Sequence, residues 1–204
     1  MRRYLHLAGL FALAVLSLGA ADDTEWKKDQ TADLASGMKF TTARQNCKNW
    51  ALAAGLETML GLQNVPLDQS FWVMRLNGGE LCVDDLPTIE ALARVMNKEF
   101  VLDDGRHVRL EVRYVPGAPI NVDAVIANLK VQQLSLLLWH SHPYYLTGVT
   151  YDEHFGTEGK QHYFALKELR LADTFPKQPA ITFQRGRDNP GEITGMLSIL
   201  VLPR

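Results

Sequence analysis

Apolar residues along this chain recur first at helical and later at alternating spacing. From Cys47 onward, Trp50, Leu52, Ala53, Leu56, Met59 and Leu60 fall three and four apart, and Gly61 follows. That pattern predicts a helix closed by glycine. Asn46 stands where an N-cap belongs, which puts Cys47 in the first turn. VPLDQSFWVMRLNGG predicts a second, short helix ending at Asn77-Gly78-Gly79. DDLPTIEALARVM predicts a third, with Asp84 or Asp85 near its start and Pro87 in the first turn. The period then changes. FVLDDGRHVRLEVRYV alternates around Asp104-Gly105, a hairpin signal that leaves His107 on the polar side. Asn121 to Gln133 is helical again, while LSLLLWH, PYYLTGVTY, HYFALKELRLAD and ITGMLSILVL predict strands. Helices first and strands later give an α+β fold with a mostly antiparallel sheet.

The N-terminus stands apart from this pattern. MRRYLHLAGLFALAVLSLGA has two arginines, an apolar run from Leu7 to Leu18 and then small residues, which predicts a signal peptide over 1–21 cleaved before Asp22. The run falls short of the roughly 20 apolar residues a membrane helix needs. The expected product is secreted or periplasmic and 183 residues long, with 19 basic against 23 acidic residues, a net charge of −4. It is the size of one domain. Residues 22–40, polar around Trp26, read as a loosely ordered arm, and residues 41–204 as the domain. Basic residues never cluster beyond two in a row, which argues against nucleic acid, and no second apolar run is long enough to cross a membrane. Export would carry Cys47 and Cys82, the only cysteines, into an oxidising compartment.

Cys47 has the placement thiol catalysis requires. The first turn of a helix favours a thiolate, because unpaired backbone N–H groups and the helix dipole stabilise negative charge there. A histidine must then take the proton and a third group must orient its ring. In WHSHPYYLTGVTYDEH, His142 opens a strand just after another ends at Trp139. LRLADTFP ends a later strand with Asp173, which can sit beside His142 on a neighbouring strand; Asp152 and Glu153 are alternative orienting groups.

NCKNWALAAGLETMLG, a later helix of PTIEALARVM type, then SHPYYLTGV and LRLADTFP together resemble the papain-like cysteine peptidase superfamily, closest to its bacterial peptidase C39-like branch. His142 to Gly148 keeps that branch's H-x5-G spacing. The resemblance covers about Gln45 to Asp173. It implies a papain-like fold, an N-terminal helical lobe packed on a C-terminal antiparallel sheet. It also implies a peptide or amide hydrolase with Cys47 as nucleophile, His142 as base and Asp173 as orienter. The substrate would be a peptide or protein, with no cofactor. The branch usually carries an oxyanion-hole glutamine where this chain has Thr41, and Gln45 is the nearest substitute. Ser141 stands where glycine usually precedes the histidine.

Other readings remain open on the same residues. Cys47 and Cys82 can form a disulfide in an exported structural domain, or the chain can be an inactive papain-like domain that binds peptides. His140-x-His142 with His154 or His162 offers three nitrogens for zinc, since both rings of an HxH pair in one strand point to one face. Trp50, Trp139, Tyr144 and Tyr145 are candidates for a cleft wall, and FQRGRDNPGE reads as a surface turn between strands.

Overall fold

The computed structural model describes residues 25–35, 43–80, 82, 89–119, 122–156, 162–175 and 177–203. The expected signal peptide lies outside them. Among the described residues, eight strands form one antiparallel sheet: β1 (Glu25–Asp33), β2 (Glu99–Val101), β3 (His107–Pro116), β4 (Ser135–Trp139), β5 (His142–Phe155), β6 (His162–Asp173), β7 (Ile181–Gln184) and β8 (Ile193–Pro203). Four helices accompany it: α1 (Ala51–Gly61), α2 (Gln69–Asn77), α3 (Ile89–Met96) and α4 (Asp123–Lys130). The order across the sheet is β2-β3-β8-β4-β5-β6-β7. β5 is long enough to carry two partners on one edge, with β4 pairing from His142 to Leu146 and β1 from Gly148 to Phe155.

Alternation along the central strands divides the core in two. Leu136, Tyr145 and Leu197 pack with α1, α2 and α3, whereas their neighbours Leu137, Leu146 and Met196 pack with Val125, Ile126 and Leu129 of α4. A strand buried on both faces loses its polar alternation, which is why Leu136-Leu137-Leu138-Trp139 reads as an unbroken apolar run.

The papain-like architecture with an N-terminal helical lobe is therefore incorrect for this chain. The molecule is mostly a large antiparallel sheet, with short helices laid on it. α1, α2 and α3 have 11, 9 and 8 residues. They bury their apolar residues against the sheet, and β1 and β2 of the N-terminal half join that same sheet. Residues 25–33, expected in a loosely ordered arm, are a paired strand. Arg170 ties it down, donating to Asp33 Oδ1 through Nε at 2.7 Å, to Thr150 Oγ1 at 2.8 Å and to the Val149 carbonyl at 3.0 Å. Lys167 adds ion pairs to Asp29 and Asp152.

The helix termini show what spacing alone conveys. α2 starts from Asp68, whose carboxylate accepts from Phe71 N at 2.8 Å, and stops at Gly78 with φ 71°. α1 lacks a side-chain cap, and its N-cap is Trp50 rather than Asn46.

Two local constraints are open to test. His140 and Ser141 have φ of 52° and 61° and form the two-residue turn between β4 and β5, a conformation that favours glycine. Ser141→Gly is expected to raise stability by about 0.5–1 kcal/mol in urea unfolding, strain relief exceeding the added freedom of the unfolded chain. Gly195 lies in β8 beneath Tyr114, and a Cβ there would overlap the Tyr114 ring. Gly195→Ala should cost roughly 1–3 kcal/mol by overpacking. A double-mutant cycle with Tyr114→Ser should recover most of that loss.

Candidate functional site

The two-residue turn makes His142 the first residue of β5, opposite Trp139. Asp173, the last residue of β6, pairs with Tyr144 and so lies diagonally across from His142. The imidazole Nε2 donates to Asp173 Oδ1 at 2.8 Å. An ionised carboxylate only accepts, so this bond fixes the neutral ring as its Nε2–H form and leaves the Nδ1 lone pair available as a base.

The carboxylate is itself held. Asp173 Oδ1 accepts from the Phe175 backbone N–H at 2.8 Å, an Asx turn, and Thr174 Oγ1 donates to the Pro143 carbonyl at 3.2 Å. Phe175 stacks parallel to the imidazole with centroids 6.0 Å apart, and Tyr144 meets it edge-on at 4.7 Å. The pair keeps access to solvent, with side-chain exposures of 26% for His142 and 19% for Asp173. Burial, and secondarily the Asp173 charge, raise the Tyr144 phenol above its ordinary value, so its hydroxyl stays protonated at neutral pH.

Cys47 is placed differently from the sequence expectation. It lies in a turn closed by Trp50 N donating to the Cys47 carbonyl at 3.0 Å, ahead of α1 rather than in its first turn. Asn46 lies four residues ahead of the Trp50 N-cap, too far upstream to cap α1, and its backbone N–H donates to Gln69 Oε1 at 3.1 Å. The sulfur is bonded to Cys82 across 35 residues, with Cα atoms 5.8 Å apart, so no thiol is present in this state. Cys82 is exposed and Cys47 half-buried.

The structure thus brings His142 and Asp173 together and gives Cys47 another partner. Gly55 of α1 abuts Leu136 and Thr174, whereas Gln63, just past its end, donates to the Ile199 carbonyl at 3.0 Å. α1 therefore points its N-terminus at the end of the sheet that carries His142 and Asp173. Cys47 packs against the α1-side core. Tyr144 packs into the α4-side core, and alternation sets Asp173 on that face with it.

Residues missed by sequence reasoning hold the cysteine segment. Gln69, 1% exposed, donates through Nε2 to the Arg44 carbonyl at 2.9 Å and to Glu57 Oε2 at 2.6 Å. Thr58 Oγ1 accepts from Ala43 N at 2.9 Å. The available signal was a polar residue on a buried stripe, since Gln69 shares the i, i+3, i+4 face with Trp72 and Val73. Gln45 has both amide atoms buried without a partner among the described residues. Leaving such a group unsatisfied costs roughly 1–3 kcal/mol.

The competing assignments separate cleanly. Asp152 Oδ1 accepts from Asp29 N at 2.9 Å and pairs with Lys167, and Glu153 accepts from His162 Nε2 at 2.7 Å, so neither orients His142. His140 sits in the turn instead of the strand and faces Glu192 at 3.4 Å. The described residues hold no cluster of three metal-ligating side chains. Tyr145 belongs to the α1-side core and Trp139 to the α4-side core, both nearly fully buried. Comparison with known proteins returned no match to a family model, to a curated protein or to a solved structure.

Proposed function

We propose that this chain is an exported thiol-dependent hydrolase of peptide or amide bonds, held latent by the Cys47–Cys82 disulfide. The observation that carries the reading is the His142 Nε2–Asp173 Oδ1 bond, because it presents a base nitrogen in one tautomer with an anchored carboxylate behind it. α1 approaches the same end of the sheet, which brings Cys47 near His142 along the strands, although the oxidised cysteine lies on the opposite face. The disulfide is consistent with an oxidising compartment.

A dithiol reductant activates the enzyme by exchange: its two thiols become a disulfide while Cys47 and Cys82 become thiols. The scheme requires Cys47, held against the α1-side core in the oxidised state, to cross the end of β5 and reach Nδ1 on the other face. His142 takes the thiol proton, and the thiolate attacks the substrate carbonyl. The Cys47 backbone N–H and the Gln45 side-chain amide, which has no partner among the described residues, stabilise the oxyanion. His142 returns its proton to the leaving amine as the C–N bond breaks, forming a thioester. Water, deprotonated by His142, attacks that thioester and releases the acid. No cofactor enters this scheme.

A second reading rests on the disulfide itself: an exported domain in which Cys47–Cys82 is structural. Closing a loop of 35 residues stabilises a fold by about 3–4 kcal/mol in the chain-entropy treatment.

Iodoacetamide labelling located by mass spectrometry separates the two. Without reductant, neither cysteine should label. After brief reduction, Cys47 should label faster than Cys82 and continue below pH 6, where an ordinary thiol of pKa about 8.5 is almost wholly protonated. His142→Ala and Asp173→Asn should each slow Cys47 by roughly tenfold, with Cys82 unchanged, the size expected when a thiol loses its charged partner. Equal, ordinary rates at both cysteines, insensitive to these variants, would leave the structural reading standing. Circular dichroism checks that the reduced protein remains folded.

A further inference from the structure

A cavity of about 520 Å³ opens on the α4 side of the sheet, away from the cysteine segment. Leu166 of β6 and Phe183 of β7 form its floor, and both are buried in the α4-side core. Pro116, Pro119, Pro190 and Arg185 also line it. The volume falls in the range of small-molecule sites, about 300–1,000 Å³, which combine apolar walls with a few placed polar groups. Three prolines stiffen the rim, which lowers the ordering cost of binding.

Arg185 is the charged residue of this lining, and its carboxylate neighbours are already engaged. Asp188 is paired with Arg187, whose Nη2 and Nε donate at 2.8 and 3.1 Å, and it also accepts from Gln184 N at 2.7 Å. Those bonds hold the Asp188 carboxyl below its ordinary value, so it is ionised and matched by Arg187. Glu192 faces His140, and Glu168 takes Arg170. Arg185 makes no ion pair among the described residues. Its backbone is fixed, with N donating to the Lys167 carbonyl at 2.9 Å. Asn189 caps the adjoining turn through Gly191 N at 3.0 Å. An uncommitted guanidinium on a rigid loop, above an apolar floor, matches a ligand with one carboxylate and an apolar body.

We propose that this cavity binds a small apolar carboxylate, with Arg185 on the carboxylate and Leu166 and Phe183 under the apolar body. The site is independent of the thiol chemistry, since it uses neither Cys47 nor His142. It gives the FQRGRDNPGE turn a role in recognition.

The test is isothermal titration of the full, oxidised chain without reductant. N-acetylphenylalanine and its amide form one probe pair, octanoate and octanamide the other, so the two arms distinguish an acylated amino acid from a fatty acid. In at least one pair the acid should bind about fivefold more tightly than the neutral amide, the scale of a solvent-accessible charged hydrogen bond. Arg185→Gln should erase that preference while keeping the binding of the amide, and Arg185→Lys should retain part of it. No saturable binding by any probe, equal affinity for acid and amide, or an unchanged preference in Arg185→Gln would overturn the assignment. Arg185 is exposed, so these variants leave the core intact.

Discussion

Burial of β4, β5 and β8 on both faces is the constraint on which the rest of this structure depends. Water cannot satisfy backbone groups in the middle of such a sheet, so each central strand needs a ladder on both edges and apolar cover above and below. The short helices supply that cover. α1, α2 and α3 take the face marked by Leu136, Tyr145 and Leu197, and α4 takes the one marked by Leu137, Leu146 and Met196. None of the helices has the length to build a lobe of its own, and isolated helices shorter than about 12–15 residues are marginal in water. Their stability comes from the sheet.

The same constraint explains the site's position. β5 has 14 residues and β4 only 5, so β4 covers one half of an edge and β1 must complete it. The β4–β5 turn is thereby forced to the end of the sheet, and His142 emerges there with Asp173 beside it. His140 and Ser141 hold positive φ in that turn, a cost of roughly 1–3 kcal/mol per residue that its surroundings must offset. Trp139 helps, stacking on His140 at 5.0 Å and meeting Phe183 edge-on at 5.6 Å.

Much of this was legible in the sequence. Asp104-Gly105 marks the β2–β3 turn, Gly78 ends α2, and the apolar runs give β4, β5, β6 and β8. His142 and Asp173 emerge from strand ends, because a strand's last polar residue and its neighbour's first are where a sheet exposes side chains. What failed was arrangement. An apolar helix behind a cysteine looks the same whether it belongs to a separate lobe or lies flat on a sheet, since period records a buried face and not what covers it. β1 was missed because Lys27, Lys28 and Asp29 give it a polar composition; its backbone ladder is with β5, more than 110 residues away in sequence, and Arg170 and Lys167 add side-chain contacts to Asp33 and Asp29. Asn46 is a poor cap candidate because α1 begins only at Ala51, after a turn at Cys47–Trp50 that residue spacing does not reveal.

The bridge and the histidine pair are compatible because the two sulfurs differ. Thiol exchange proceeds by attack on the more accessible sulfur, and the departing thiolate leaves faster the lower its pKa. Cys82 is the exposed member and Cys47 the half-buried one, so a dithiol meets Cys82 first and Cys47 departs. Under the proposed hydrolase, Cys47 leaves beside the start of α1 and must then cross the end of β5 before the imidazole can hold its proton. The orienting carboxylate anchored by Phe175 N acts only after that crossing, in the use of the thiolate. A purely structural bridge gains nothing from that histidine, and a purely catalytic cysteine gains nothing from Cys82. In the oxidised state the two groups stand apart, Cys47 against the α1-side core and His142 with Asp173 on the other face, so the bridge and the histidine pair are tied together only under the proposed latent hydrolase.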